Sequence, residues 1–223
     1  MRYTKFITEE FYHIYNRGVD KRDIFMDLYD VARFLKCMSI FNTEDSIGSV
    51  YLDSMRKKKE LKLRSLAPRN KKLVNFVAYC LNQNHYHFIL EPLVDDGIQK
   101  FMHKLSTGYT NYFNEKYKRN GSLFQGTYKA IHINSNEYLL HLSVYVNLNF
   151  IIHKDLNKEW MKKLPISSFK EYSEKILKPF CIKDIILGQF NNVKEYKNFC
   201  EEILPEILRK KEEEKELKYM LLE

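Results

Sequence analysis

The sequence predicts an α+β protein of the ferredoxin-like, split βαβ kind: an antiparallel sheet with helices on one face, followed by a mostly helical C-terminal extension. Two observations carry that expectation. Strand-like runs and runs with apolar residues three and four apart alternate in the order β-α-β-β-α-β-α. The length, 223 residues, fits one main domain with an extension, divided as 1–155 and 156–223.

Phe11 to Asn16 (FYHIYN) reads as the first strand, closed by a turn at Arg17-Gly18. Asp30 to Phe41 follows as a helix, because Val31, Phe34, Leu35, Met38 and Phe41 line one face. Lys and Arg then dominate a basic excursion from Asp53 to Asn70. Leu73 to Leu81 and His85 to Leu90 form a hairpin across the turn residues Asn82-Gln83-Asn84. After Pro92, Asp95-Asp96 caps a long helix whose stripe is Ile98, Phe101, Met102, Leu105, Tyr109, Tyr112 and Phe113, ending before Asn120-Gly121. Tyr128 to Ile133 is the fourth strand. Asn134 and Glu137 stand in capping-box relation ahead of a helix from Tyr138 to Ile151. Beyond Trp160 the pattern is mostly helical, and Ile207 to Glu223 reads as a charged, solvated helix.

Composition narrows the class. Hydrophobic residues make up 44% and charged residues 30%, and the mean hydropathy is −0.48, which is a globular balance. No 18-residue apolar run and no secretory h-region occur, so a cytoplasmic location is expected. Lys and Arg outnumber Asp and Glu by 37 to 29, a formal charge of +8. That suits a polyanionic partner, although a solvated basic surface has the same composition. Cys37, Cys80, Cys181 and Cys200 show no C-x-x-C spacing and are read as reduced thiols.

Two places carry chemistry. His85-Tyr86-His87 lies on a predicted strand, where residues two apart share a face, so both imidazoles can meet one ion. Such a pair is either a half-buried couple in a sheet or part of an open metal site completed by water and substrate oxygens. On the last domain helix, Tyr138, His141, Tyr145 and Asn149 fall on one polar stripe. Tyr145 and Asn149, four apart, project together, so an amide oxygen can join a metal shell beside a phenol. A lone tyrosine at a helix–sheet boundary has an equally good packing role.

Four segments, FYHIYNRGVDKRDIF (11–25), NFVAYCLNQNHYHFIL (75–90), GSLFQGTYKAIHI (121–133) and YLLHLSVYVNLN (138–149), together resemble the REP-associated tyrosine transposases of the HUH single-tyrosine superfamily. ISSFKEY (166–172) and IKDIILGQF (182–190) resemble C-terminal extensions of some members. The resemblance implies that His85 and His87 are metal ligands with Tyr86 between them, that Tyr145 is the nucleophile, and that Asn149 is the third ligand. It also implies a Mg or Mn cofactor, single-stranded or hairpin DNA as partner, a 5′-phosphotyrosine intermediate, and a homodimer in some relatives. Phe150 stands where many relatives have Pro, which would let the helix continue.

For grip on DNA the candidates are Arg17, Lys129 and the basic run with Arg56, Lys57 and Lys58. Two other classes fit part of the pattern: a non-catalytic ferredoxin-like nucleic-acid binder, and a metal-dependent phosphoesterase using water.

Overall fold

The computed structural model describes residues 5–45, 71–152 and 166–220. Four strands form one antiparallel sheet: β1 (Phe11–Arg17), β2 (Val74–Asn82), β3 (His85–Pro92) and β4 (Lys129–Ile133), in the order β2-β3-β1-β4. This is the ferredoxin-like order. Helix α1 (Leu28–Ile40) joins β1 to the β2-β3 hairpin, and α2 (Gly97–Lys116) joins the hairpin to β4. After β4 come α3 (Asn136–Asn147), α4 (Asn149–Ile152), α5 (Phe169–Ser173), α6 (Asp184–Leu187) and α7 (Val193–Met220).

Alternation along the strands sends side chains to two buried faces. Tyr12, Ile14, Phe76, Tyr86, Phe88 and Leu90 enter a core under α1 and α2. Val77, Ala78, Cys80, Ile89 and Ile133 enter a second core with Leu139, Leu142, Val146, Tyr172 and Tyr196. The expected single helical layer is therefore met by α1 and α2, and α3 with the extension adds a layer on the opposite face. The near-continuous burial of β2 and β3 reflects that sandwich.

Two expected caps are corrected. Asp96 precedes α2 but sits at φ 58° and makes no side-chain capping bond, so the start is set by backbone conformation. Ser135, not Asn134, caps α3, its Oγ accepting from Tyr138 N at 3.1 Å. The chain breaks at Leu148, so the predicted helix from 138 to 151 becomes α3 and the single turn α4. The hairpin turn is tighter than expected, since Asn82 pairs with His85 and only Gln83-Asn84 connects them.

The loop after β1 clamps that turn: Ile24 N and Phe25 N donate to Gln83 O, and Gly18 N donates to Asn84 O. Gly18 is required there, because a Cβ would lie 2.2 Å from Arg22 O. The outer edge of β2 is covered by the extension through Leu81 N to Ile166 O and Ser168 N to Tyr79 O. All four cysteines are buried thiols outside any disulfide. No helix among the described residues is long and apolar enough to cross a membrane.

Candidate functional site

The residue order of the sheet places a set of polar side chains under α3. His85 and His87 alternate with Tyr86, which is fully buried in the α1–α2 core, so both imidazoles face α3. Across the register, Asn82 and Arg17 lie opposite His85 on either side, while Tyr15 lies opposite His87. His13, two residues before Tyr15, shares this face.

Tyr145 on α3 brings its ring edge-on to His87, with centroids 5.4 Å apart, and to His13 at 6.2 Å. His85 and His87 meet edge to face at 5.1 Å. The break at Leu148 then turns Asn149 toward the hairpin. Its Oδ1 accepts from Asn82 Nδ2 at 2.6 Å and lies 3.4 Å from His85 Nε2. The same Asn82 amide group lies 2.8 Å from His85 Nε2. Two acceptor atoms from distant parts of the chain, His85 Nε2 and Asn149 Oδ1, thus converge on one electropositive group.

The far nitrogens of both histidines are engaged. His85 Nδ1 lies 2.6 Å from Asn84 Oδ1, and His87 Nδ1 lies 2.9 Å from His13 Nε2. Such partners fix ring orientation and tautomer. His13 is buried, with 6% exposure, and burial pushes its pKa down to about 4. It is a neutral partner for His87 at ordinary pH. Among the described residues no group of three or more His, Cys, Asp or Glu is arranged for a metal ion. A site here would have to use the Asn149 amide oxygen.

The structure brings His85, His87, Tyr145 and Asn149 together within a single chain. Arg17 is exposed beside His85, its Nε donating to Gln125 Oε1, and Lys129 is exposed opposite Tyr15 on β4. Arg56, Lys57 and Lys58 lie outside the described residues. His141 leaves the expected polar stripe and packs its ring against Phe199 of α7, at 5.8 Å. His13 and Asn82 escaped sequence reasoning. The alternation in FYHIYN puts His13 on the face of Tyr15, but only strand pairing puts that face beside His87.

Comparison with known proteins first gives a class. Residues 50–149 match the family model described as "Transposase IS200 like", and that span holds His85, His87, Tyr145 and Asn149. The resemblance drawn from the sequence is borne out over this segment. The chain is also similar to a solved structure of a REP-associated tyrosine transposase bound to a REP hairpin, at 13% identity and a TM-score of 0.46, covering 81% of this chain and 88% of that one. No curated protein matches the chain.

Proposed function

We propose that this chain is a transposase-type strand transferase acting on single-stranded DNA, with Tyr145 as nucleophile and His85, His87 and Asn149 holding Mg or Mn. The carrying observation is the Tyr145 ring edge-on to His87, while Asn149 Oδ1 converges with His85 Nε2. Two imidazoles and an amide oxygen are a mixed nitrogen and oxygen set, suited to a hard divalent ion that keeps water and phosphate oxygens in its shell. His85 would ligate through Nε2, since Asn84 takes Nδ1, and His87 likewise, since His13 takes Nδ1. When bound, the ion supplies charge stabilisation to a phosphate in transfer.

The chain's own residues do the rest. Attack by the Tyr145 Oη forms a P–O bond to the strand, expels the 3′-oxygen as a hydroxyl, and leaves a 5′-phosphotyrosine. The phenol proton must leave during attack, because a free phenol with a pKa near 10 is a weak nucleophile at neutral pH. The covalent bond conserves the phosphodiester, so a second 3′-hydroxyl reverses the step and joins a new strand without a nucleotide cofactor. Arg17 and Lys129 flank the histidines on the same face and suit phosphate contacts on either side. The motif resemblance extends the substrate to single strands next to hairpins. That Tyr145, His85, His87 and Asn149 come together within one chain supports a site assembled in cis.

Labelled single-stranded DNA incubated with Mn(II) and protein, then run on a denaturing gel, tests the proposal. Wild type should give a protein-linked band, and Tyr145→Phe should bind DNA with unchanged affinity but give none. A linked band from Tyr145→Phe rejects the nucleophile. Strand cleavage without any linked band would make the protein a water-using phosphoesterase, and affinity without cleavage a binding module.

A further inference from the structure

A groove of about 1020 Å³ runs between α2 and the edge strand β4. Phe6, Tyr15 and Tyr128 give it aromatic walls, Gln99 and Thr107 add polar groups, and Lys129 stands at its rim. Tyr15 connects this groove to the site described above: it lines the groove, pairs with Lys129 on one side, and stacks on the His87 ring on the other at 5.6 Å and 24°. One side chain therefore separates the groove from the histidines. No acidic side chain is among the described residues that line it.

We propose that this groove takes an unpaired base of single-stranded DNA, the one adjoining the phosphate at His85, His87 and Tyr145. The inference rests on the strand-transferase reading for the position of that phosphate and on the groove for the base. Its volume reaches the upper end of small-ligand pockets, roughly 300–1,000 Å³, which is room for a base with its sugar. Half-buried aromatic walls offer stacking faces that every base can use. Lys129 at the rim, with no acidic group among the described lining residues, suits an anionic backbone and disfavours a basic peptide. The groove thus gives the site a means of choosing which nucleotide lies beside the cut.

The test is fluorescence anisotropy with full-length protein and two labelled strands of about 12 nucleotides, oligothymidylate and its fully abasic counterpart. Wild type should bind oligothymidylate roughly tenfold tighter or more. Tyr128→Leu, which keeps apolar bulk against the core, and Thr107→Trp, which obstructs the groove from an exposed helix position, should each bring the ratio toward one while abasic binding stays unchanged. A wild-type ratio near one overturns the proposal, as does a ratio that both folded variants retain. Sedimentation as a dimer that Thr107→Trp dissolves overturns it too, assigning the groove to a second copy. These readouts need neither Tyr145 chemistry nor metal. A missing covalent adduct with the base dependence intact rejects the transferase reading alone, and an adduct with a ratio near one rejects the groove alone.

Discussion

His13 shows how much a single residue outside the recognised motif contributes. Its Nε2 lies 2.9 Å from His87 Nδ1 in a buried setting, where a wrong tautomer would leave a ring nitrogen unsatisfied. Loss of such a partner commonly weakens metal affinity by about 10–100-fold. His13→Ala should therefore weaken Mn(II) binding to the DNA-free protein by at least about tenfold, read by electron paramagnetic resonance titration, with partial recovery in His13→Gln. Equal affinity in wild type and His13→Ala would show that His87 needs no such partner. Asn82 acts at the same scale. Its amide bridges His85 and Asn149, holding two acceptors together that would otherwise be left buried side by side.

At the scale of elements, the α1–α2 layer is locked by charge as well as by packing. Asp30, fully buried on α1, accepts from Lys116 Nζ at 2.7 Å, Tyr117 Oη at 2.7 Å and Tyr112 Oη at 3.0 Å on or next to α2, and from Met26 N at 2.8 Å. Asp30→Asn should cost roughly 1.5–3 kcal/mol, the range for hydrogen bonds to a charged group, measured by urea unfolding. A change under about 0.5 kcal/mol would mean that Asp27, which also binds Lys116 at 2.7 Å, carries the lock alone. Close approach of the same helices shows at Gly108, where a Cβ would lie 2.4 Å from Phe41 Cε2. Alanine there gains about 1 kcal/mol of helix propensity and meets an overpacking cost of roughly 1–3 kcal/mol. Gly108→Ala should lower the Tm, and a raised Tm would show that Phe41 swings aside freely.

Across the whole molecule, the extension is joined to the sheet by a buried polar chain rather than by apolar contact alone. Asn147 at the end of α3 donates to Tyr196 Oη of α7 at 3.0 Å and accepts from Ser168 Oγ at 2.6 Å, while Ser168 in turn accepts from Tyr79 N of β2 at 2.9 Å. This network sits beside the break at Leu148, so the extension helps to set where Asn149 points. Asn147→Ala should destabilise the whole chain by roughly 2 kcal/mol, since it removes two buried hydrogen bonds and leaves the Tyr196 and Ser168 hydroxyls only their contacts with Ser143 and Tyr79, and should weaken Mn(II) binding as well. Loss of stability with metal affinity intact would separate the extension from the site.

Much of this arrangement is local and was legible in the chain itself. Period-two alternation put His85 and His87 on one face, apolar spacing located α1, α2 and α3, and the motif order predicted the ferredoxin-like sheet. The companions of the pair were not legible. His13 reaches His87 only because β1 pairs with β3, and Asn82 reaches Asn149 across 67 positions of sequence. Nothing local marks the break at Leu148 either, since no Gly or Pro stands there. Tertiary hydrogen bonds on Asn147 and Asn149 hold the chain out of a continuous helix. The sequence by itself determined which residues are candidates for the chemistry and on which faces they stand. Only the tertiary structure decided that the faces meet, because strand register and buried polar pairing are made between segments that no local pattern links.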